Sequence, residues 1–456
     1  MTQRPPHSAV PIGQVPPSRW RLGPSWGGAL AGEAQSAGAQ LKLLSSNPYL
    51  SDVDRARAYV ENVVTFVLKG VRGELSAVAV HGLVVPGLAL AALLPRDRRP
   101  VAGACLAGAL AWTLLASFNN NSPFHNFRYY APAFLLMLVS AGSGAAGIAR
   151  SFGGRLGPAV AGVAVATAIG AAALRVPVQV KHFTRAAGNI RDQQIEVASR
   201  LRAAMEPGTS VLVGDAGAII FVAERPALDA LGLGGYHTMP FARAAVNGEA
   251  STLELIERLA PSERPRYMAL YPNWFQQITS RFGVEIERVT IADNLICAGP
   301  TKVIYRADWG PLEVPHAPSA DVIDEVDVAD VISEAEHAYV SPVPNGGWTT
   351  LDILADASGT RRFDGGRIVP AGGRESFVIR KSGDGKPARV VVRVDAETRG
   401  IRMHSPRGTT ELVVAKPVAG TWAEATGTID APTAGDAIVL EATSGLYKNY
   451  HLWITR

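Results

Sequence analysis

Four stretches of the chain are apolar almost from end to end. Ala77–Leu94 (AVAVHGLVVPGLALAALL) carries one ionisable side chain, His81. Val101–Phe118, Ala131–Ala149 and Leu156–Leu174 contain no Asp, Glu, Lys or Arg. A helix crossing the hydrocarbon of a bilayer needs roughly 20 apolar residues, with about 17 as the lower limit. Each stretch reaches that range, and none shows the polar face of a helix packed on a water-soluble core. They predict four transmembrane helices within residues 74–176.

Charges in the short loops set the orientation, because nearby Lys and Arg resist translocation. Arg96, Arg98 and Arg99 lie between the first two stretches, and Arg150 and Arg155 between the last two. The remaining loop, Asn119–Tyr130, holds only Arg128. The basic loops are therefore expected in the cytoplasm, with that loop and the long C-terminal region outside. Lys69 and Arg72 before the first stretch, and Arg175, Lys181 and Arg185 after the fourth, pull the other way, but long segments weigh less than short loops. The chain reads as a multi-pass protein of the inner (plasma) membrane with extracytoplasmic C-terminal domains. This orientation also puts the first residues outside, although Met1–Pro24 lacks the apolar core of a signal peptide. Further spans upstream are the expectation.

Outside the apolar stretches the texture changes three times. Residues 1–73 are mostly irregular, with helical spacing over Asp52–Gly70 that predicts a helix lying at the interface. Residues 177–310 alternate helical and strand-like runs. Gln193–Ala204, Ser251–Leu259 and Trp274–Phe282 read as helices, with Ser251 or Thr252 near an N-cap. Thr209–Val213, Tyr267–Tyr271, Val284–Ile291 and Lys302–Arg306 read as strands, which predicts a small α/β domain. Residues 311–345 are rich in Pro and then acidic, and read as a linker with a solvated face at Asp321–Glu336. Residues 346–456 give short alternating runs about every 10 residues, among them Ala388–Val394, Ala423–Ile429 and Tyr450–Thr455, the pattern of a β-sandwich of jelly-roll type. The expected fold is thus a multi-span helical membrane region, a small α/β domain and a C-terminal β-sandwich.

Composition adds exclusions. A net charge of +4 with no basic patch interleaved with aromatics argues against nucleic-acid binding. The apolar stretches lack interior charged residues, which argues against a transporter. Cys105 and Cys297 lie too far apart in this organisation to pair. Gly214-Asp215-Ala216-Gly217 lacks the glycine spacing of a dinucleotide site, and Asp215 is expected to cap the helix that follows. Asp52-Val53-Asp54 could hold a divalent cation. Trp453 alternates like a core residue, whereas Trp348 and Tyr447 are open candidates for stacking on sugars.

The most informative polar segment is His125-Asn126-Phe127-Arg128-Tyr129-Tyr130. An arginine among aromatics at a membrane boundary suits a lipid phosphate, because guanidinium binds phosphate bidentately and aromatic rings prefer the interface. An ordinary interfacial anchor is the plain alternative.

Asn119–Pro132 with its following apolar helix resembles the late transmembrane part of bacterial membrane glycosyltransferases of the GT-C superfamily, relatives of the dolichyl- or polyprenyl-phosphate-mannose–protein mannosyltransferases. Val211–Leu233 and Tyr271-Pro272-Asn273-Trp274-Phe275 resemble the outer-domain pattern of the same proteins, so that the resemblance covers roughly residues 40–310. It implies a polyprenyl-phosphate sugar as donor, a glycan, lipid or protein as acceptor, Arg128 and Tyr129 at the lipid phosphate, and His125 or Asn126 at the sugar or acceptor. Members of this superfamily also place a catalytic Asp or Glu in a first outer loop. No such loop begins this chain, and the catalytic residues stay unassigned. The rival expectation is a non-catalytic membrane anchor presenting a glycan- or protein-binding β-sandwich.

Overall fold

The computed structural model describes residues 37–74, 81–120, 127–152, 154–234, 239–314, 316, 321–341, 349–355, 359–416 and 420–456. It has a helical N-terminal half, a small mixed sheet, and a C-terminal curled antiparallel sheet.

Among the described residues, three helical segments are long and apolar enough to cross a membrane: Arg99–Ala116, Arg128–Ser151 and Leu156–Ala204. Within the first apolar stretch the described residues form a 3-10 turn at His81–Leu83 that runs into helix α1 over Val84–Ala91, and residues 77–80 lie outside the described residues. Pro86 sits in its first turn, where a missing N–H costs nothing. The fourth stretch runs on well past its apolar part into 49 residues of helix, about 70 Å at helical rise. Its side chains are mostly uncovered, with Val163, Ile169, Leu174 and Phe183 all exposed.

Small residues set how these helices meet. Helix α1 crosses helix α2 (Ala131–Ser151) so closely that a Cβ on Gly144 would lie 1.8 Å from the Leu88 carbonyl oxygen. Ser140 Oγ donates to Ala89 O at 3.0 Å on the same seam. Small residues on the seam let the two backbones approach this closely. Upstream, α3 (Asp52–Thr65) forms as its spacing predicts, followed by a wider helical turn over Phe66–Glu74. Ser51 caps it by accepting from Asp54 N, while Asp52 pairs with Arg55. The two carboxylates are thus engaged in their own helix start and not paired with each other as cation ligands.

The mixed sheet has the order β2-β1-β3-β5-β4. Strands β1 (Val211–Val213), β2 (Ala227–Asp229) and β3 (Tyr267–Leu270) run parallel, and β4 (Gly283–Thr290) and β5 (Thr301–Ala307) pair antiparallel beside them. The predicted helix at Ser251–Leu259 spans Glu249–Glu257 (α4). Its N-cap is Gly248, and Ser251 instead donates to Ala329 O at 2.6 Å.

The acidic segment is not a solvated linker. Val322–Asp327 forms strand β6 and Val331–Glu336 a helix, and Asp324, Asp330 and Glu334 are buried. Strand β6 pairs with the last strand, β15 (Tyr447–Thr455), which also pairs with β10 (Ala388–Val394) and β8 (Arg361–Val369). Both edges of β15 are therefore paired, and nearly all of its residues are buried. Leu452 and Ile454 enter the core of the curled sheet, which also takes in Val390, Val392, Ile401 and Leu440. Strand β8 contributes Phe363 to the core of the mixed-sheet domain, edge-on to Phe282. The two outer units thus share one continuous packed boundary.

Candidate functional site

Two clusters of polar side chains stand out, one at the end of an apolar helix and one between the outer units.

The first is built around Tyr129. Phe127 adopts a left-handed conformation (φ 55°), which turns the chain into the short 3-10 helix Arg128–Tyr130 ahead of α2. Tyr130 is fully buried, stacked on Phe66 with ring centroids 4.0 Å apart and hydrogen-bonded to Ser117 at 3.0 Å. With Tyr130 anchored, its neighbour points the other way. Arg128 Nη2 donates to Tyr129 Oη at 3.0 Å, and Trp112 Nε1 holds the Tyr129 carbonyl at 2.8 Å.

Sequence reading missed the third member of this cluster. Lys42 Nζ reaches Tyr129 Oη at 3.3 Å from 87 residues upstream. Its position follows from backbone pairing. Leu43 bridges to Asn119, Asn120 N donates to Lys42 O at 2.6 Å, and Leu44 N donates to Phe118 O at 2.8 Å. Asn62 clamps the same turn through Ser117 O and Asn119 O. No local motif announces this contact. The structure brings together Arg128, Tyr129 and Lys42, while His125 and Asn126 lie outside the described residues. Two cationic heads converge on one phenol oxygen, an arrangement able to receive a phosphate monoester or diester.

The second cluster lines a cleft of about 760 Å³ between helix α4 and the β6–β15 face. Its floor holds Glu254, Asp327 and His451, and its rim Arg258, Arg380 and Lys381. Asp364, fully buried, is bound by Arg393. His316 bridges Glu257 Oε1 at 2.7 Å and Asp364 Oδ2 at 3.4 Å. Burial opposes its charge, but the Asp364 and Glu257 carboxylates prevail and raise its pKa to about 10.

Asp215 occupies neither cluster and does not cap the helix after it, whose N-cap is Gly217. It accepts from Gln194 Nε2 at 2.9 Å and faces the buried Lys302 ammonium at 3.9 Å. Trp453 is core, and Tyr447 proves to be core as well, its hydroxyl donating to Glu375 at 2.6 Å. Trp348 lies outside the described residues. Neither cysteine is in a disulfide.

Residues 188–321 match a family described as a domain of unknown function, DUF8728. Comparison with curated proteins finds no match. Among solved structures, a family 6 carbohydrate-binding module is similar at 19% identity, over 26% of this chain and 95% of its own, with a TM-score of 0.17. The C-terminal family 6 module of a laminarinase from Zobellia galactanivorans is similar at 17% identity, over 26% and 98%, also with a TM-score of 0.17. A third such module, from Clostridium stercorarium and solved with cellobiose, is similar at 16% identity, over 26% and 95%, with a TM-score of 0.16.

Proposed function

We propose that this chain works in a membrane glycosyltransferase that takes a sugar from a polyprenyl-phosphate-linked donor and passes it to an extracytoplasmic glycan, lipid or protein. The observation that carries the reading is the convergence of Lys42 and Arg128 on Tyr129 at the polar end of an apolar helix. Exposed Leu, Val and Ile side chains along the three long helices support membrane insertion, since water leaves such surfaces uncovered only at a cost. In the membrane the cluster would lie at headgroup depth, where each cation near an anionic group contributes about 1 kcal/mol.

In this reading Arg128 and Lys42 hold the lipid phosphate, which balances the charge left on it as the sugar departs. The Tyr129 hydroxyl orients both cations. His125 and Asn126 would lie beside the sugar or acceptor, and the curled β module, of jelly-roll sandwich type, would keep the acceptor near the membrane. The described residues offer no carboxylate bonded to Arg128 or Lys42, so the base that activates the acceptor is not assigned to them.

Sugar transfer from a polyprenyl-phosphate donor, measured in membranes containing the full chain with and without Arg128→Ala, tests the proposal. Loss of transfer in the variant is expected, and unchanged transfer overturns the phosphate role. Donor binding without any transfer would favour the non-catalytic reading, a lipid-binding anchor that presents the outer modules.

A further inference from the structure

The cleft between helix α4 and the β6–β15 face is not used by the lipid-phosphate reading, and strand register explains its contents. Asp327 of β6 and Arg393 of β10 flank His451 of β15 as direct cross-strand partners. Side chains paired in this way project from the same face of a sheet. That face turns toward the mixed-sheet domain, whose helix α4 brings Glu254 against it, and Asp364 enters from β8.

Glu254, Asp327 and Asp364 each offer an oxygen, and these oxygens lie within 4.8 Å of one another. His451 Nδ1 stands 3.8 Å from Asp327 Oδ1 and 3.7 Å from Asp364 Oδ1. These three atoms are buried and without any hydrogen-bond partner, and the Asp364 and His451 side chains are 0% and 2% exposed. The ring's other nitrogen, Nε2, lies 2.8 Å from Glu325 Oε1 and therefore carries the proton. Nδ1 faces two carboxylate oxygens. Three buried polar atoms that meet without a hydrogen-bond partner leave their desolvation uncompensated, which a shared ligand would relieve.

Three of the cations nearby are otherwise engaged. Arg393 binds the other oxygen of Asp364, Arg258 binds Asp330, and His316 spans Glu257 and Asp364 Oδ2. Gly365 N donates to Glu254 Oε1 at 2.6 Å, and a Cβ on Gly365 would lie 2.3 Å from that oxygen, so a glycine is what lets the carboxylate approach.

We propose that Glu254, Asp327, Asp364 and His451 bind one divalent transition cation of the manganese or zinc kind, which fastens the β module onto the mixed-sheet domain. Carboxylate oxygens with one imidazole nitrogen suit such an ion better than calcium, which takes oxygen ligands, or a thiolate-preferring metal. Metal–ligand bonds of about 2.0–2.2 Å place neighbouring ligand atoms roughly 3.0–3.6 Å apart, so the 3.7 and 3.8 Å gaps at His451 need close by a few tenths of an ångström, and the carboxylate oxygens, within 4.8 Å of one another, would draw in around the ion. Glu325 on Nε2 supplies the outer carboxylate that ligating histidines commonly carry. The cleft gives the ion a path from solvent.

The test uses the full chain in detergent, stripped with a chelator and equilibrated with Mn²⁺, Zn²⁺ or Ca²⁺. Bound metal is read by elemental analysis after gel filtration, and stability by thermal unfolding. The expected result is a single bound Mn²⁺ or Zn²⁺ that raises the melting temperature, with ¹⁴N hyperfine coupling in the Mn²⁺ electron-spin-echo signal. Asp327→Asn and His451→Gln should lose the ion and the shift, while Asp52→Asn keeps both. Metal-free Asp327→Asn should melt no lower than the metal-free wild type, since it removes a buried repulsion. Failure of the wild type to bind, retention of the ion by both site variants, or preference for Ca²⁺ would overturn the assignment.

Discussion

Arg367 forks onto Glu334, its Nε 2.5 Å from one carboxylate oxygen and its Nη2 2.8 Å from the other, with both side chains buried. The same Nη2 donates to Asn247 Oδ1 at 2.8 Å, and Tyr49 donates to Asn247 O at 2.5 Å. One ion pair thus ties strand β8 to the acidic segment, to the mixed-sheet domain and to the N-terminal segment. Removing one partner leaves the other charge buried and alone, which costs about 3–5 kcal/mol. Glu334→Ala is therefore expected to lower the denaturant midpoint of the outer region, followed by tryptophan fluorescence. Arg374→Ala, which removes an exposed pair with Glu441, should change it by under about 1 kcal/mol.

A pH dependence follows from Lys302. Its ammonium is fully buried, 3.1 Å from Gln194 Oε1 and 4.3 Å from the Tyr271 ring centroid. Burial outweighs the nearby Asp215 carboxylate and lowers its pKa from 10.5 to about 8. Between those two values the unfolded chain binds more protons than the folded one, so this group's contribution to stability rises with pH across that window and is flat below it. The slope approaches at most about 1.4 kcal/mol per pH unit. Denaturation between pH 7 and 10 should show the rise in wild type minus Lys302→Met, and a flat difference would refute it.

The cluster at Tyr129 predicts an additive loss. Lys42→Ala and Arg128→Ala should each weaken binding of polyprenyl phosphate about five- to tenfold, near the 1 kcal/mol per cation typical at membrane surfaces. Tyr129→Phe keeps both charges and should have the smaller effect. Raising salt should shrink all these differences, because the attraction is screened. Lipid retention measured by native mass spectrometry reads each case. Full binding by the Lys42→Ala, Arg128→Ala double variant would exclude the cluster.

Topology can be read directly. In a background with Cys105 and Cys297 replaced by alanine, Asp97→Cys should resist an impermeant maleimide in intact cells, and Lys386→Cys should react. Both positions are exposed on the protein, so protection would report the membrane. Labelling with the opposite pattern would reverse the orientation drawn from the loop charges.

The elements that the sequence made legible are those whose cause is local. A long apolar run forms helix largely on its own composition, so most of Val101–Phe118 and all of Ala131–Ala149 and Leu156–Leu174 fall in long helices. Of the first apolar stretch the described residues show a 3-10 turn running into helix α1, with Pro86 in its first turn. Strand alternation likewise found β3, β5 and β10. Arg128 and Tyr129 come together because they are neighbours in the sequence.

What failed was reading a residue's environment from its charge. The acidic run at Asp321–Glu336 looks solvated because lone carboxylates prefer water, yet Arg367 and Arg258 meet Glu334 and Asp330 from elsewhere in the chain, and His337, just past the run, folds back onto Asp324. Asp215 looks like a cap, but Gln194 and Lys302 draw it sideways. Composition and periodicity alone determined the apolar helices, the alternating outer domain and the β-rich end, because each depends on neighbours a few positions away. Tertiary structure alone decided that Lys42 meets Tyr129 and that Glu254, Asp327, Asp364 and His451 converge. Those encounters depend on strand register and chain crossing, which bring together side chains that carry no mark of one another in the sequence.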